Sequence, residues 1–237
     1  MAKRQARFTP QDLAHDPHLV DDSAELWPGE LGEVARKLLT SAVRCFAANG
    51  YHATTTRDIA AGVGLSPAAM YVHFPTKELV LFKIIRSGHE RALADLRVPE
   101  VARAGDAAAT LQVLISRYTA WHARHHVAAR VAQYELSGLT AEHYEDVLHL
   151  RHQTNEVFRH VVARGVADGT FEQVDVNRVV RAMLSLAIDL VRWYRLDGSD
   201  HPEELGRFYA DLALKMVTGQ AGSLPPARPD RAGRRLR

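Results

Sequence analysis

Between Thr54 and Lys77 the chain carries side chains suited to holding a polyanion. Ala68, Ala69 and Val72 are short and share one face at about 100° per residue, with Tyr71 and His73 beside them. A helix lined this way can sit deep in a DNA major groove, while its flanking phenol and imidazole reach phosphates. Thr76 can cap the next helix, whose N-terminal amides and Lys77 offer positive charge to another phosphate. A second constellation lies at Arg151, Thr154 and Asn155, polar residues on the apolar stripe of a long helical pattern. Burying them without partners would cost roughly 1–3 kcal/mol each, so they must meet protein groups, water or a bound molecule. A third is histidine at one-turn spacing, His122, His125 and His126, with His149 and His152 further on, which raises a competing reading as a metal-responsive regulator.

The first constellation needs a helix, a tight turn and a second helix. Thr54–Thr56 supplies a capping hydroxyl for a helix reaching Ala61, with Ile59 turned inward and small Ala60 beside it. Gly62 and Gly64 can take backbone angles closed to other residues. Ser66 and Pro67 then give a cap followed by proline at the first helical position. On this second helix Met70 and Phe74 share the face opposite the alanines and are predicted to pack on Ile59 and Leu65. A preceding helix over about 30–48, with Leu31, Val34, Ala35, Leu38, Leu39, Ala42 and Phe46 on one stripe, ends at Asn49-Gly50.

Composition narrows the remaining chemistry. A net charge of +2 does not announce a nucleic-acid binder, so any DNA contact must be a local arrangement. One cysteine, Cys45, excludes an internal disulfide and a cysteine-based zinc site. No glycine-rich phosphate loop or nucleophile elbow is present, and the protein is expected to be neither an enzyme nor dependent on a cofactor. The start, Met1-Ala2-Lys3-Arg4, lacks a signal-peptide core, and no apolar run is long enough to cross a bilayer, so a cytoplasmic location without membrane contact is expected.

The segment resembles the DNA-binding domain of TetR/AcrR regulators, through Thr55-Thr56-Arg57-Asp58-Ile59-Ala60, Gly64-Leu65-Ser66, Met70-Tyr71-Val72-His73-Phe74 and Lys77-Glu78. The resemblance implies that Thr55, Thr56, Tyr71, His73 and Lys77 contact DNA backbone or groove and that Arg57 reaches a base. Pro67, Ala68 and Ala69, next to the cap Ser66, depart from the commoner Lys and Gly-Thr of the family. The alanines and Val72 can meet bases only by apolar contact, so direct readout is expected to be sparse and to lean on Arg57 and on groove shape.

The predicted fold is all-α: a flexible extension over 1–28, a three-helix helix-turn-helix domain over 29–76, a helical ligand-binding and dimerisation domain over 77–220, and a disordered basic tail over 221–237. Helical patterns at about 141–166, 175–195 and 202–218 lead the larger part. The effector pocket is expected from Arg151 and Asn155 for a ligand's polar end and Trp121, Tyr134 and Phe158 for its apolar body. An internal salt bridge of Arg151 with Glu135, Glu142 or Asp189 is the alternative. The helix over 175–195 is apolar nearly all round, and with the last helix it suggests the interface of a homodimer, as two half-sites of a palindromic operator require. Val191-Arg192-Trp193-Tyr194-Arg195 and Tyr209-Ala210-Asp211-Leu212-Ala213 look similar to the subgroup that senses acyl-CoA or steroid-derived molecules. The expected function is thus a repressor that binds double-stranded operator DNA as a dimer and is released by a small organic effector.

Overall fold

The computed structural model describes residues 19, 25–27, 29–196 and 198–219, and among these every regular element is helical. The elements are α1 (Glu33–Asn49), α2 (Thr56–Ala61), α3 (Pro67–His73), α4 (Lys77–Asp95), the short α5 (Pro99–Ala102), α6 (Ala107–Arg124), α7 (His126–Tyr134), α8 (Ala141–Ala167), α9 (Val176–Asp189) and α10 (Pro202–Thr218), with 3-10 turns at Leu136–Gly138 and Leu190–Arg192. Among the described residues no helix is long and apolar enough to cross a membrane. The expected tail over 221–237 and most of the expected extension lie outside the described residues.

The sequence places these helices well where caps and period agree. Side chains of Thr55, Ser66, Thr76, Asp106, Thr140 and Asp175 each accept a backbone N–H at a helix start. Two buried clusters organise the rest. One joins α1–α3 to α4 and α7 through Leu38, Leu39, Phe46, Ile59, Met70, Leu81, Ile85 and Val127; the other holds α6, α8, α9 and α10 together around Leu111, Leu114, Phe158, Met183 and Ala213. The first cluster crosses the expected boundary at 76/77. Helices as short as α2 and α3 cannot close a core alone, and α4 and α7 supply the missing wall.

Three expectations are corrected. Leu19, Leu26 and Trp27 belong to the first cluster instead of a loose extension, because their apolar side chains find a groove that only the folded helices create. The helix expected over 175–195 ends at Asp189 and continues as a 3-10 turn, and Leu186 on it stays 41% exposed. On α8, Tyr144 and Leu148 are exposed; Val147, Thr154, Phe158 and Val161 centre the buried arc, and the other two sit about 60–100° around the helix from that centre.

Candidate nucleic-acid interface and effector cavity

The two-helix unit forms as its residues dictate. Thr55 Oγ1 accepts from Asp58 N at 3.2 Å, and the Asp58 carboxylate accepts from Thr55 N at 2.8 Å and from the Thr55 hydroxyl at 2.7 Å. These hydrogen bonds from Thr55 hold the Asp58 carboxyl below the usual carboxylate range. Thr54 is buried, donating its hydroxyl to the carbonyls of Cys45 and Gly50. The turn uses its glycines differently. Gly64 has φ +71°, whereas Gly62 is helical, and a Cβ there would lie 2.3 Å from Ser41 Oγ, which donates to Ile59 O. Gly62 is therefore small to let α1 approach, not to bend the chain.

Met70 and Phe74 are buried on the inner face of α3, with Ile59 beneath and Leu65 partly buried against the same cluster. Outward, Val72 is 82% exposed, Ala68, Tyr71 and His73 are exposed, and Pro67 and Ala69 are half-buried. Arg57 is exposed on α2, and Thr56 Oγ1 lies 3.3 Å from Tyr71 Oη, tying the start of α2 to the middle of α3. Of the residues assigned to DNA, two also serve the fold. The Thr55 hydroxyl both accepts and donates within its cap, and Lys77 Nζ donates to Tyr51 O at 2.8 Å and Thr54 O at 2.7 Å, 4.2 Å from the centre of the Tyr51 ring. Burial pushes the Lys77 ammonium below its ordinary pKa. Lys77 stands at the right place in the sequence for a phosphate, and the α1–α2 loop already takes two of its three N–H donors.

Besides Lys77, polar contacts tie the reading unit, and the start of α4 behind it, to the later helices. Glu135, which ends α7, accepts from Tyr51 N at 3.1 Å. Glu78 accepts from Thr140 N at 3.1 Å and pairs with His143 Nδ1 at 2.7 Å, and the His143 ring is stacked on Phe82 at 3.7 Å.

A cavity of about 220 Å³ lies between α4, α6, α7, α8 and α9. It brings together three of the five expected ligand residues, Trp121, Arg151 and Asn155. Phe158 and Tyr134 do not line it. Phe158 is fully buried one turn further along α8, edge-on to Tyr118, and Tyr134 is exposed beneath Arg130 at the end of α7. His89, Tyr118, His122, Gln133 and Arg181 also line the cavity. Apart from His122, which the sequence marked only for its histidine spacing, no local signal singled them out, since they come from four other helices.

Arg151 is the centre of this site. Its Nε donates to His89 Nε2 at 3.3 Å, and one Nη donates to Gln133 Oε1 at 2.9 Å and Ala132 O at 3.4 Å. None of these acceptors is charged, and none of the cavity-lining residues is acidic. The alternative, a salt bridge of Arg151 to Glu135, Glu142 or Asp189, is not formed: Glu135 holds Tyr51, Asp189 pairs with Arg192 at 2.9 Å, and Arg151 has no ion pair among the described residues. Desolvation lowers the His89 pKa to about 3 and that of His122 to about 4, so both rings are neutral at neutral pH, and the positive charge of the cavity rests on Arg151 and Arg181.

The histidine spacing does not converge on a metal. His125 falls at the junction where α6 ends and α7 begins, which breaks the one-turn register. His122 Nδ1 meets Tyr118 O at 2.8 Å, His125 Nε2 meets Glu25 at 2.7 Å and His126 Nδ1 meets Ala123 O at 3.2 Å. Further along, His149 pairs with Gln153, and His152 lies 3.9 Å from Glu156. Among the described residues no group of three or more His, Cys, Asp or Glu side chains could hold a metal ion.

Comparison with known proteins agrees with this architecture. Residues 38–84 match the model of bacterial regulatory proteins of the tetR family, and residues 104–217 match the tetracyclin repressor-like C-terminal domain. The HTH-type transcriptional repressor KstR2 of Rhodococcus jostii RHA1 is 33% identical over 182 residues, covering 75% of this chain and 88% of that protein. A tetR-family regulatory protein of known structure from Rhodococcus RHA1 is 36% identical with a TM-score of 0.73, over 79% of this chain and 98% of its own. The ketosteroid transcriptional regulator KstR2 of Mycobacterium tuberculosis is 27% identical with a TM-score of 0.74, over 81% and 98%. With a helix-turn-helix unit, an effector-type cavity behind it and these relatives, the chain belongs to the TetR family of DNA-binding transcriptional regulators.

Proposed function

We propose that this regulator is a repressor that holds a palindromic operator as a homodimer and leaves it when a small organic anion occupies the Arg151 cavity. The observation that carries the reading is a half-buried guanidinium with only neutral acceptors, in a cavity whose α7 wall ends on the reading unit. Gln133 and Ala132, both bonded to Arg151, lie on α7, and Glu135 just beyond them holds Tyr51 N. An anionic oxygen on Arg151 competes with those two acceptors and frees the end of α7. Tyr51 then loses its fixed anchor, and with it the α1–α2 loop that Lys77 clamps.

The cavity is smaller than the ~300–1,000 Å³ of drug-sized sites. A compact acyl or ring body fits inside, with any larger group outside beside exposed Arg181. Coenzyme A thioesters and steroid-derived acids both have this form, and the KstR2 of Mycobacterium tuberculosis is a ketosteroid transcriptional regulator. Ligand panels of free acids and their coenzyme A thioesters should contain a member that raises the melting temperature and releases DNA. At a hundredfold excess over Kd, binding contributes about 2.7 kcal/mol of stability. Arg151→Met is expected to remain folded and to lose that shift; a variant that keeps the full shift would remove Arg151 from the site.

For the dimer, α9 and α10 present Leu186, Leu212 and Phe208, the last 63% exposed, on helices already packed inward through Met183, Ala187, Ala210 and Ala213. Covering these side chains removes apolar area from water and spaces two reading units for half-sites on one face of the duplex. On DNA, Arg57 is the one exposed guanidinium of α2, and Ala68, Ala69, Val72, Pro67 and the cap Ser66 form the close surface, with Tyr71, Thr56 and His73 at its edges. Arg57→Ala should cost about 1–3 kcal/mol of discrimination, concentrated at one base pair of each half-site. Binding to a set of single-base operator variants measures it. Discrimination retained at every position would return the reading of bases to groove shape.

A further inference from the structure

We propose that Glu25–Trp27 is a strap that positions the DNA-reading unit against the effector domain, so that Trp27 and Glu25 set the spacing at which a dimer grips DNA. The inference rests on the dimeric operator binding proposed above.

Three residues reach α1, α4 and the α6–α7 junction. Trp27 is 2% exposed, and its indole N–H donates to Thr40 Oγ1 of α1 at 3.0 Å. Its carbonyl accepts from Arg91 of α4 at 3.1 Å, and the Leu26 carbonyl accepts from Ser87 of α4. Glu25 pairs with His125 at 2.7 Å and lies 3.8 Å from Arg124, at the α6–α7 junction. Leu19 adds a fourth hold, its carbonyl accepting from Arg44 of α1 at 3.0 Å. The strap thus bridges α1, which belongs to the reading unit, and helices whose other faces build the cavity.

These contacts are specific as well as apolar. Main-chain carbonyls at residues 19, 26 and 27 each meet a donor from a folded helix, which fixes the register of the segment in addition to burying it. The strap is also close to the effector site. Ser87 and Arg91 share a turn of α4 with Gly88, His89 and Ala92, which line the cavity, and the His125 ring lies 4.9 Å from the ring of Trp121 in the cavity wall. The matched tetR-family segment begins at residue 38, so the strap lies ahead of it.

The consequence is geometric. Two reading units on a rigid dimer act on DNA with an effective concentration that peaks at one half-site separation, and a looser hold on α1 lowers and broadens that peak. A residue that serves only folding would shift the melting temperature without changing the preferred separation.

The test uses the full chain. An operator is first selected from random duplexes with the unaltered protein, and its half-sites are then moved together or apart by one base pair. Trp27→Ala is expected to bind the selected operator about tenfold more weakly, and to lose less than the unaltered protein does when the spacing changes. Trp27→Phe, which keeps the apolar contact, should restore most of the spacing preference. Glu25→Gln, at an exposed position on the edge of the strap, should shift it in the same direction by a smaller factor, and decides the matter if Trp27→Ala does not fold. An unchanged spacing preference in folded Trp27→Ala, or in Glu25→Gln where it is the deciding variant, overturns the strap. Failure of the unaltered protein to select any palindrome overturns the dimeric reading instead.

Discussion

Lys77→Met should lower the stability of the protein by about 2–4 kcal/mol and weaken binding to every duplex alike, while leaving the slope of log affinity against log salt unchanged. The magnitude follows from two hydrogen bonds donated by a charged group, each worth about 1.5–3 kcal/mol, discounted for the part of the ammonium that water still reaches. Among the described residues Thr54 O is paired through Lys77, and without it Tyr51 O keeps the N–H of Thr54 at 3.2 Å. The loop they belong to carries Thr55, the cap of α2, so the N-terminus of that helix loses its support. The salt slope separates this role from the one expected of a lysine at that position. A phosphate contact releases counterions, and its loss would reduce the slope by roughly one. Denaturant unfolding and a salt titration of operator binding measure the two quantities; a reduced slope with unchanged stability would place the ammonium on DNA.

The second large effect is a pair of identical substitutions with opposite outcomes. Gly88 lies within α4 and Gly206 within α10, and replacing a helical glycine by alanine contributes about 1 kcal/mol when nothing else changes. A Cβ on Gly88 would rest 3.8 Å from the Trp121 ring, an ordinary contact. A Cβ on Gly206 would fall 2.5 Å from the backbone oxygen of Ser116 in α6, and backbone inside a helix yields poorly. Overpacking of this kind costs about 1–3 kcal/mol. Gly88→Ala is therefore expected to stabilise and Gly206→Ala to destabilise, the second by up to about 2 kcal/mol after the helix gain. Thermal unfolding of both proteins, each about 2–4 °C per kcal/mol for a chain of this size, checks the sign. Because α10 also carries Phe208 and Leu212, forcing it off α6 should weaken association as well, which sedimentation at graded concentration would show.

The unit that reads DNA was legible because its signals are local. Thr55, Ser66 and Thr76 cap their helices through their own side chains, Pro67 stands at a first helical position, and Met70 and Phe74 fall on one face by helical angle alone. The same holds for α8, expected over 141–166 and found over Ala141–Ala167, and for α10, found as expected over Pro202–Thr218. The cavity was half legible. Arg151 and Asn155 drew attention as polar residues on a buried arc, but His89, Tyr118 and Gln133 converge on them from α4, α6 and α7, and nothing near any of them in the chain points to Arg151. Phe158 shares the arc and misses the cavity by a turn, since a helical stripe gives an angle and not a depth.

By itself, then, the sequence determined the helices, their caps, the two-helix reading surface and the family, because each depends on residues within a few positions of one another. Tertiary structure alone decided that Lys77 holds the α1–α2 loop, that Trp27 is packed, that His125 leaves the register of its neighbours and that a Cβ would crowd backbone at Gly206 but not at Gly88. In each case the deciding partner, as for Trp27 with Thr40 and Arg91 or Gly206 with Ser116, is brought close only when helices pack. Residue type sets what a side chain can do, and the neighbour that packing supplies sets which of those things it does.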